Sequence, residues 1–185
     1  MHTSASTAAE PALLGRVDDG RDDLAWRRNG VSPSVRRAGV DDVDALTQLV
    51  NQAYAIEAFF VEGDRTTDDE IRAMAAAGHF LVLDRGDGLA AAVFVRVDGE
   101  RGYFGMLSVD PDLQGLGLGR RLVAVAEALC AARGCTRMDL QIINLREELG
   151  PWYRSLGYQE VGTAPYQHRD TKRPCHFIKM TKALA

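Results

Sequence analysis

The stretch MLSVDPDLQGLGLGRRLV, residues 106–123, constrains the fold more than any other part of the chain. An apolar run ends in Asp110-Pro111, glycines recur at 115, 117 and 119, and Arg120-Arg121 open an amphipathic segment. Glycine loses more backbone freedom on folding than any other residue, so this density at a helix start implies a need for bare backbone. The segment therefore predicts a strand, a tight loop and a helix in succession, as in sheets that carry helices on their faces. Amides at a helix N-terminus, with the dipole behind them, form an anion site.

Three phosphate-binding patterns compete for these glycines. The nucleoside-triphosphate loop G-x-x-x-x-G-K-[ST] fails, because no Lys-Ser or Lys-Thr follows. The dinucleotide pattern G-x-G-x-x-G fails from Gly115, where Arg120 takes the last position, and from Gly117, where Leu122 does. Gln114, Gly117 and Gly119 fit Q-x-x-G-x-G instead, after a strand and before a helix.

The rest of the chain fills in a mixed sheet. SVRR reads as a short strand, Asp41 or Asp42 as a cap, and the segment through AYAIEAFF as a helix with Val43, Leu46, Leu49 or Val50, Ala53 and Tyr54 at helical spacing. DDEIRAMAAAG is a second, shorter helix. HFLVLD and LAAAVFVRVD flank the hairpin turn RGDG, and GYFGMLSV is a third strand. After the glycine helix come the strand TRMDLQII, a short helix in EELGPWYRSLG and two strands, YQEVGT and CHFIKMTKA. Pro151 makes that short helix either start near Gly150 or kink there. The expected class is α/β, an α+β mixed sheet in the order strand, two helices, three strands, helix, strand, helix, two strands.

Residues 1–31 are Ala/Ser/Thr-rich and then Gly- and Asp/Arg-rich, and read as a disordered tail; residues 32–185 read as one domain. A net charge of −4 gives no electrostatic support for nucleic-acid binding. No apolar run approaches the roughly 18–20 residues of a membrane span, and the N-terminus lacks signal-peptide architecture. Cys130, Cys135 and Cys175 show no metal-ligand spacing and read as reduced thiols, which points to a cytoplasmic protein without a metal.

The strand MLSV, Asp-Pro, QGLGLGRRL and its helix resemble the acetyl-coenzyme A motif of the GNAT superfamily of N-acetyltransferases. PWYRSLGY, at the expected distance, is similar to that family's aromatic-Tyr-x-x-x-Gly-aromatic segment. The resemblance implies a GNAT-like acyl-CoA N-acyltransferase fold, with acetyl-CoA as co-substrate. It places main-chain groups of Leu107, Ser108 and Val109 along the pantetheine arm, and the amides of Gly115, Leu116, Gly117, Leu118, Gly119 and Arg120 around the pyrophosphate, with Gln114 shaping the turn. Family members often place an asparagine seven residues before the tyrosine to contact pantetheine; here Arg146 holds that position and Asn144 lies two residues earlier. Either serves that role.

The chemistry asks for a base and an acid. A lysine-like amine of pKa about 10.4 must lose a proton before attacking a thioester, and the departing thiolate needs a proton or a hydrogen bond. By resemblance Tyr153 is the general acid, with Trp152 beside it sufficient as the helix's core aromatic. Some relatives carry a catalytic Glu where this chain has Gln141, so the candidate bases move to Glu57, Glu62 and Asp64, with Glu57 preferred for its apolar neighbours. Tyr54, three residues before Glu57, shares its face. Arg65, with the late loop QHRDTKR, is a candidate for recognising a carboxylate-bearing amine. The expected reaction is acetyl transfer to a primary amine by direct attack in a ternary complex. A small amine or amino-acid-like metabolite is favoured as acceptor over a protein N-terminus or lysine. A non-catalytic acyl-CoA sensor is the competing reading, and a homodimer is an option the resemblance leaves open.

Overall fold

The computed structural model describes residues 34–185, so the expectation of a disordered tail over residues 1–31 lies outside the described residues. β1 (Ser34–Arg37) leads through a 3-10 turn over Val40–Asp42 into α1 (Val43–Tyr54). α1 buries Val43, Leu46, Leu49 and Val50, the stripe that helical spacing demands. Asp42 precedes the helix without bonding its first turn. Its carboxylate instead accepts from the Gly39 amide at 2.7 Å and from both terminal nitrogens of Arg36. After Tyr54 the segment read as one long helix tightens into a 3-10 turn over Ala55–Phe59. α2 (Asp68–Ala77) starts at a capping box: the Thr67 hydroxyl accepts from the Glu70 amide, and the Glu70 carboxylate accepts from the Thr67 amide.

β2 (His79–Asp84), β3 (Leu89–Asp98) and β4 (Arg101–Val109) form an antiparallel meander, followed by α3 (Leu118–Ala132), β5 (Arg137–Ile143), α4 (Leu149–Ser155), β6 (Gln159–Pro165) and β7 (His176–Ala183). Pro151 does not kink α4, because it sits in the first turn, where the missing N–H has no intrahelical acceptor. β2 is buried on both faces. Leu81 and Leu83 pack with Leu122, Val125 and Leu129 of α3, whereas Phe80 and Val82 pack with Leu46, Val50 and Ile71 of the other helical layer. That is why β2 and β3 read as continuous apolar runs rather than as alternation.

Among the described residues seven strands run in the order β1-β2-β3-β4-β5-β7-β6, and of their pairings only β4 with β5 is parallel. Their pairing is brief: Arg101, Gly102 and Tyr103 oppose Arg137, Met138 and Asp139, and there it stops. The β3–β4 register slips between Ala92 and Phe94, and the extra residue on β4 includes Met106 at φ +52°. Such a bulge bends its strand. β5 instead follows β7 as far as the Ile143–Phe177 pair. The sheet is thereby split in its middle, with the far half of β4 lacking a neighbour on the β5 side. Among the described residues no helix is long and apolar enough to cross a membrane, and no cluster of His, Cys, Asp or Glu is suited to a metal.

Candidate active site

A cleft of about 380 Å³ lies along the open half of β4. Leu107 and Val109 form one wall, the glycine loop a second, and Leu149, Trp152 and Tyr153 of α4 a third. Ala53, Tyr54 and Glu57 close one end, and Arg146 lines it from the β5–α4 connection. Its charged lining is Glu57, Arg120 and Arg146, a positive balance suited to a polyanionic ligand.

Local chemistry builds the loop. The Asp110 carboxylate accepts from the Asp112 amide at 3.0 Å, holding the 3-10 turn Pro111–Leu113. The Gln114 side-chain amide donates to the Val109 carbonyl at 3.4 Å and shapes the turn. Gly115 and Gly117 then take φ +81° and φ +82°. A Cβ at either position would meet no atom within 4 Å, so backbone conformation rather than crowding requires glycine there. Gly117 is the N-cap of α3, and the Arg121 amide makes the bond to its carbonyl at 3.0 Å. The amides of Leu118, Gly119 and Arg120 come before that first intrahelical bond, as orphan donors at the positive end of a fifteen-residue helix. Gly119 differs from the other two: a Cβ there would reach Val109, Leu107 and Trp152 at 3.7–3.8 Å.

Glu57 enters through the 3-10 turn. Three residues per turn keep positions 54 and 57 on one side, and both line the cleft. Glu57 is only 6 % exposed, and burial pushes its carboxyl above the ordinary value, against the opposing pull of Arg65 and Arg146. Arg146 Nη1 lies 3.5 Å from Glu57 Oε1, while its Nε donates to Glu148. Tyr153, also 6 % exposed, sits among Phe104, Trp152 and Tyr158 with ring centroids 4.6–6.0 Å apart. Burial, then Tyr54 and Tyr103, drive its phenol well above the ordinary range, so it is protonated at neutral pH.

Of the residues singled out from the sequence, Tyr54, Glu57, Leu107, Val109, Gln114, Gly115, Gly117, Leu118, Gly119, Arg120, Arg146 and Tyr153 share this cleft. Ser108 is buried behind the wall, its hydroxyl donating to the Met106 carbonyl at 3.1 Å. Leu116 is exposed and outside the lining. Asn144 also lies outside it, its side-chain carbonyl accepting from the His176 amide at 2.8 Å to tie β5 to β7. Glu62 and Asp64 are exposed and likewise absent from the cleft. Arg65 is not in the lining but stacks on it, its guanidinium carbon 5.2 Å from the Tyr54 ring centroid. Sequence reasoning missed Trp152 as a wall: the more buried aromatic is Tyr153, and Trp152 faces the cleft beside Gly119. The Glu57–Arg146 pair was also missed, and 89 residues of separation leave no local signal for it.

The description "Acetyltransferase (GNAT) family" matches residues 44–158. A mycothiol acetyltransferase from Kineococcus radiotolerans is 31% identical over 163 residues, covering 84% of this chain and 52% of that protein. An acetyltransferase from Yersinia enterocolitica is 29% identical over 84 residues, covering 45% of this chain and 60% of that protein. The chain thus spans between about half and three fifths of the length of these curated relatives. Among solved structures, the ribosomal-protein-S18-alanine N-acetyltransferase from Escherichia coli superimposes with a TM-score of 0.66 at 20% identity, over 83% of this chain and 95% of that one. Salmonella typhimurium yncA, solved with its cofactor acetyl-CoA, gives 0.66 at 20% identity, over 84% and 95%. These likenesses establish the shared fold. Because the family match covers more than half of the chain, from α1 to Tyr158 just before β6, the protein belongs to the acetyltransferase (GNAT) family.

Proposed function

We propose that residues 32–185 form an acetyltransferase domain that transfers an acetyl group from acetyl-CoA to a small primary amine. The observation that carries this reading is the meeting, in one cleft, of an amide-rich glycine loop, an open strand edge, a buried carboxylate and a buried phenol. The fit to the co-substrate is chemical. Orphan amides and Arg120 suit a pyrophosphate, and the unpaired edge of β4 offers main-chain groups to the amides of a pantetheine arm. The names of the relatives, all acetyltransferases, support the same assignment.

The amine nitrogen attacks the thioester carbonyl; a C–N bond forms and the C–S bond breaks. At neutral pH the amine is an ammonium, and its deprotonation costs on the order of 4–5 kcal/mol. Glu57, with its raised pKa, is a stronger base than a solvated carboxylate and accepts that proton directly or through water. Tyr153 serves the sulfur. Complete proton transfer from a phenol to a thiolate of pKa about 8.5 runs uphill, more so once burial has raised the phenol. Its role is therefore to donate a hydrogen bond to the developing thiolate; the sulfur takes the second proton lost by the nitrogen as the tetrahedral intermediate collapses, and Glu57 passes the first to solvent. No cysteine lines the cleft, which favours direct attack over an acyl-enzyme.

The acceptor end supports a compact substrate. The β6–β7 connection is bonded across the chain that follows α1: Lys172 N to Phe60 O at 2.9 Å, Glu62 N to Asp170 O at 3.0 Å, and Arg169 Nε to Asp64 O at 3.1 Å. The test is thiol release from acetyl-CoA across a panel of primary amines. Amine-dependent release is expected; tight acetyl-CoA binding with no release for any amine would favour a sensor instead.

A further inference from the structure

Arg65 lies between the 3-10 turn and α2, and the chain around it is held from the opposite loop. Arg169 donates to the carbonyls of Asp64 and Arg65, at 3.1 and 3.4 Å, and gives its remaining charge to Glu70. The backbone at 64–65 is thus fixed by a cation whose own partner is already supplied. The Arg65 side chain has no such partner: among the described residues it makes no ion pair or hydrogen bond, only the stacking on Tyr54 at 5.2 Å. A guanidinium carries five donors in a planar fork matched to a carboxylate, and stacking leaves the fork's edge available.

A second unsatisfied group lies close by. The Tyr166 hydroxyl is buried and, among the described residues, has no hydrogen-bond partner. Buried polar atoms are overwhelmingly paired, and an orphan calls for a specific explanation. Tyr166 packs against Phe177 at 5.1 Å and against the cluster of Phe60, Val61 and Ile143, the first two directly following the 3-10 turn that carries Glu57. The Arg65 charge acts on Tyr166, Tyr54 and Glu57 alike. A fork of donors without an acceptor and a hydroxyl without a partner therefore adjoin the end of the cleft where Glu57 would receive an ammonium.

We infer that this end of the cleft selects a zwitterionic acceptor: a primary amine carrying a carboxylate, which Arg65 grips with its fork and Tyr166 bonds through its hydroxyl, while Glu57 faces the amine. The inference rests on the transferase reading above and deepens it from an amine to an amino-acid-like amine. Both groups then find partners, and the acceptor's two charges meet their complements at separate points, fixing the orientation of the nitrogen.

Matched pairs test it: amino acids against their methyl esters, which keep the amine and lose the anion. Each pair is measured twice, as kcat/KM for thiol release from acetyl-CoA and as a calorimetric Kd in the presence of coenzyme A. The expected wild-type preference for at least one acid over its ester is about 10- to 100-fold, the range of a charge-assisted hydrogen-bonded pair. In Arg65→Gln that acid-to-ester ratio collapses to about one, whatever the absolute rates. In Tyr166→Phe it falls by a smaller factor. A wild-type ratio near one across the panel, or a ratio undiminished in Arg65→Gln, overturns the inference. Carboxylate-selective binding without transfer of any amine would sink the transferase reading and leave the carboxylate site standing. Amine-dependent transfer with acids and esters treated alike would do the reverse.

Discussion

Gly119→Ala separates the two demands placed on the glycine loop. Unlike Gly115 and Gly117, Gly119 lies inside α3 and not in the left-handed region. In the helix an alanine is more favourable than a glycine by up to about 0.5–1 kcal/mol. The new Cβ would stand 3.7–3.8 Å from Val109, Leu107 and Trp152, ordinary contact distances, so the unliganded protein has room for it. The substitution should therefore raise the melting temperature of the ligand-free protein by about 1–4 °C, at roughly 2–4 °C per kcal/mol for a chain of this size. The same methyl projects from a residue that lines the cleft, over amides assigned to the pyrophosphate. Displacing one hydrogen bond to a charged group costs about 1.5–3 kcal/mol, so the Kd for acetyl-CoA should weaken about 10- to 150-fold. Thermal melts and calorimetric titration with acetyl-CoA read the two effects separately. A more stable protein with unchanged acetyl-CoA affinity would refute the claim that the loop is bare in order to admit a phosphate.

Gly117→Ala should behave oppositely in the melt: at φ +82° an alanine costs about 1–2 kcal/mol, lowering the midpoint by roughly 2–8 °C although nothing crowds its Cβ. Glu57→Gln should lower kcat about 10²- to 10⁴-fold and abolish the acid limb of the pH–rate profile, which in the wild type lies above the ordinary carboxylate range because burial raises the group. Its stability effect has a definite sign. A carboxyl raised in the folded state is a penalty that is absent below its ordinary value of 4.5 and grows as pH rises through the folded pKa. The melting temperature of Glu57→Gln relative to wild type should therefore increase with pH, and a flat difference would contradict the assignment. Tyr153→Phe should lower kcat about 10- to 150-fold, the worth of one hydrogen bond to a charged atom, with a smaller change in KM for acetyl-CoA; unchanged turnover would remove the phenol from the mechanism.

Much of this was legible because it is local. The strands, the two amphipathic helices and the glycine loop follow from periods of two and 3.6 and from turn chemistry, which involve neighbours in sequence. Gly115 and Gly117 could be assigned to the loop from their spacing after Gln114, and the structure gives both the positive φ that favours glycine. The boundary of α1 was misjudged for the complementary reason: periodicity does not distinguish an α-helix from the 3-10 turn that replaces it after Tyr54.

The sequence by itself determined the mixed sheet and the amide cradle, since both depend on backbone preferences and patterns that short segments carry. Only the tertiary structure decided which charges and rings meet. The slip at Met106 and the early end of β4–β5 pairing open the sheet, and packing between elements sets Glu57 3.5 Å from Arg146 and Trp152 beside Gly119. Among the described residues it also left the Arg65 side chain without an ion pair and the Tyr166 hydroxyl without a hydrogen-bond partner. Side chains as far apart in sequence as these leave no periodic trace, because their proximity and burial are set by packing between elements.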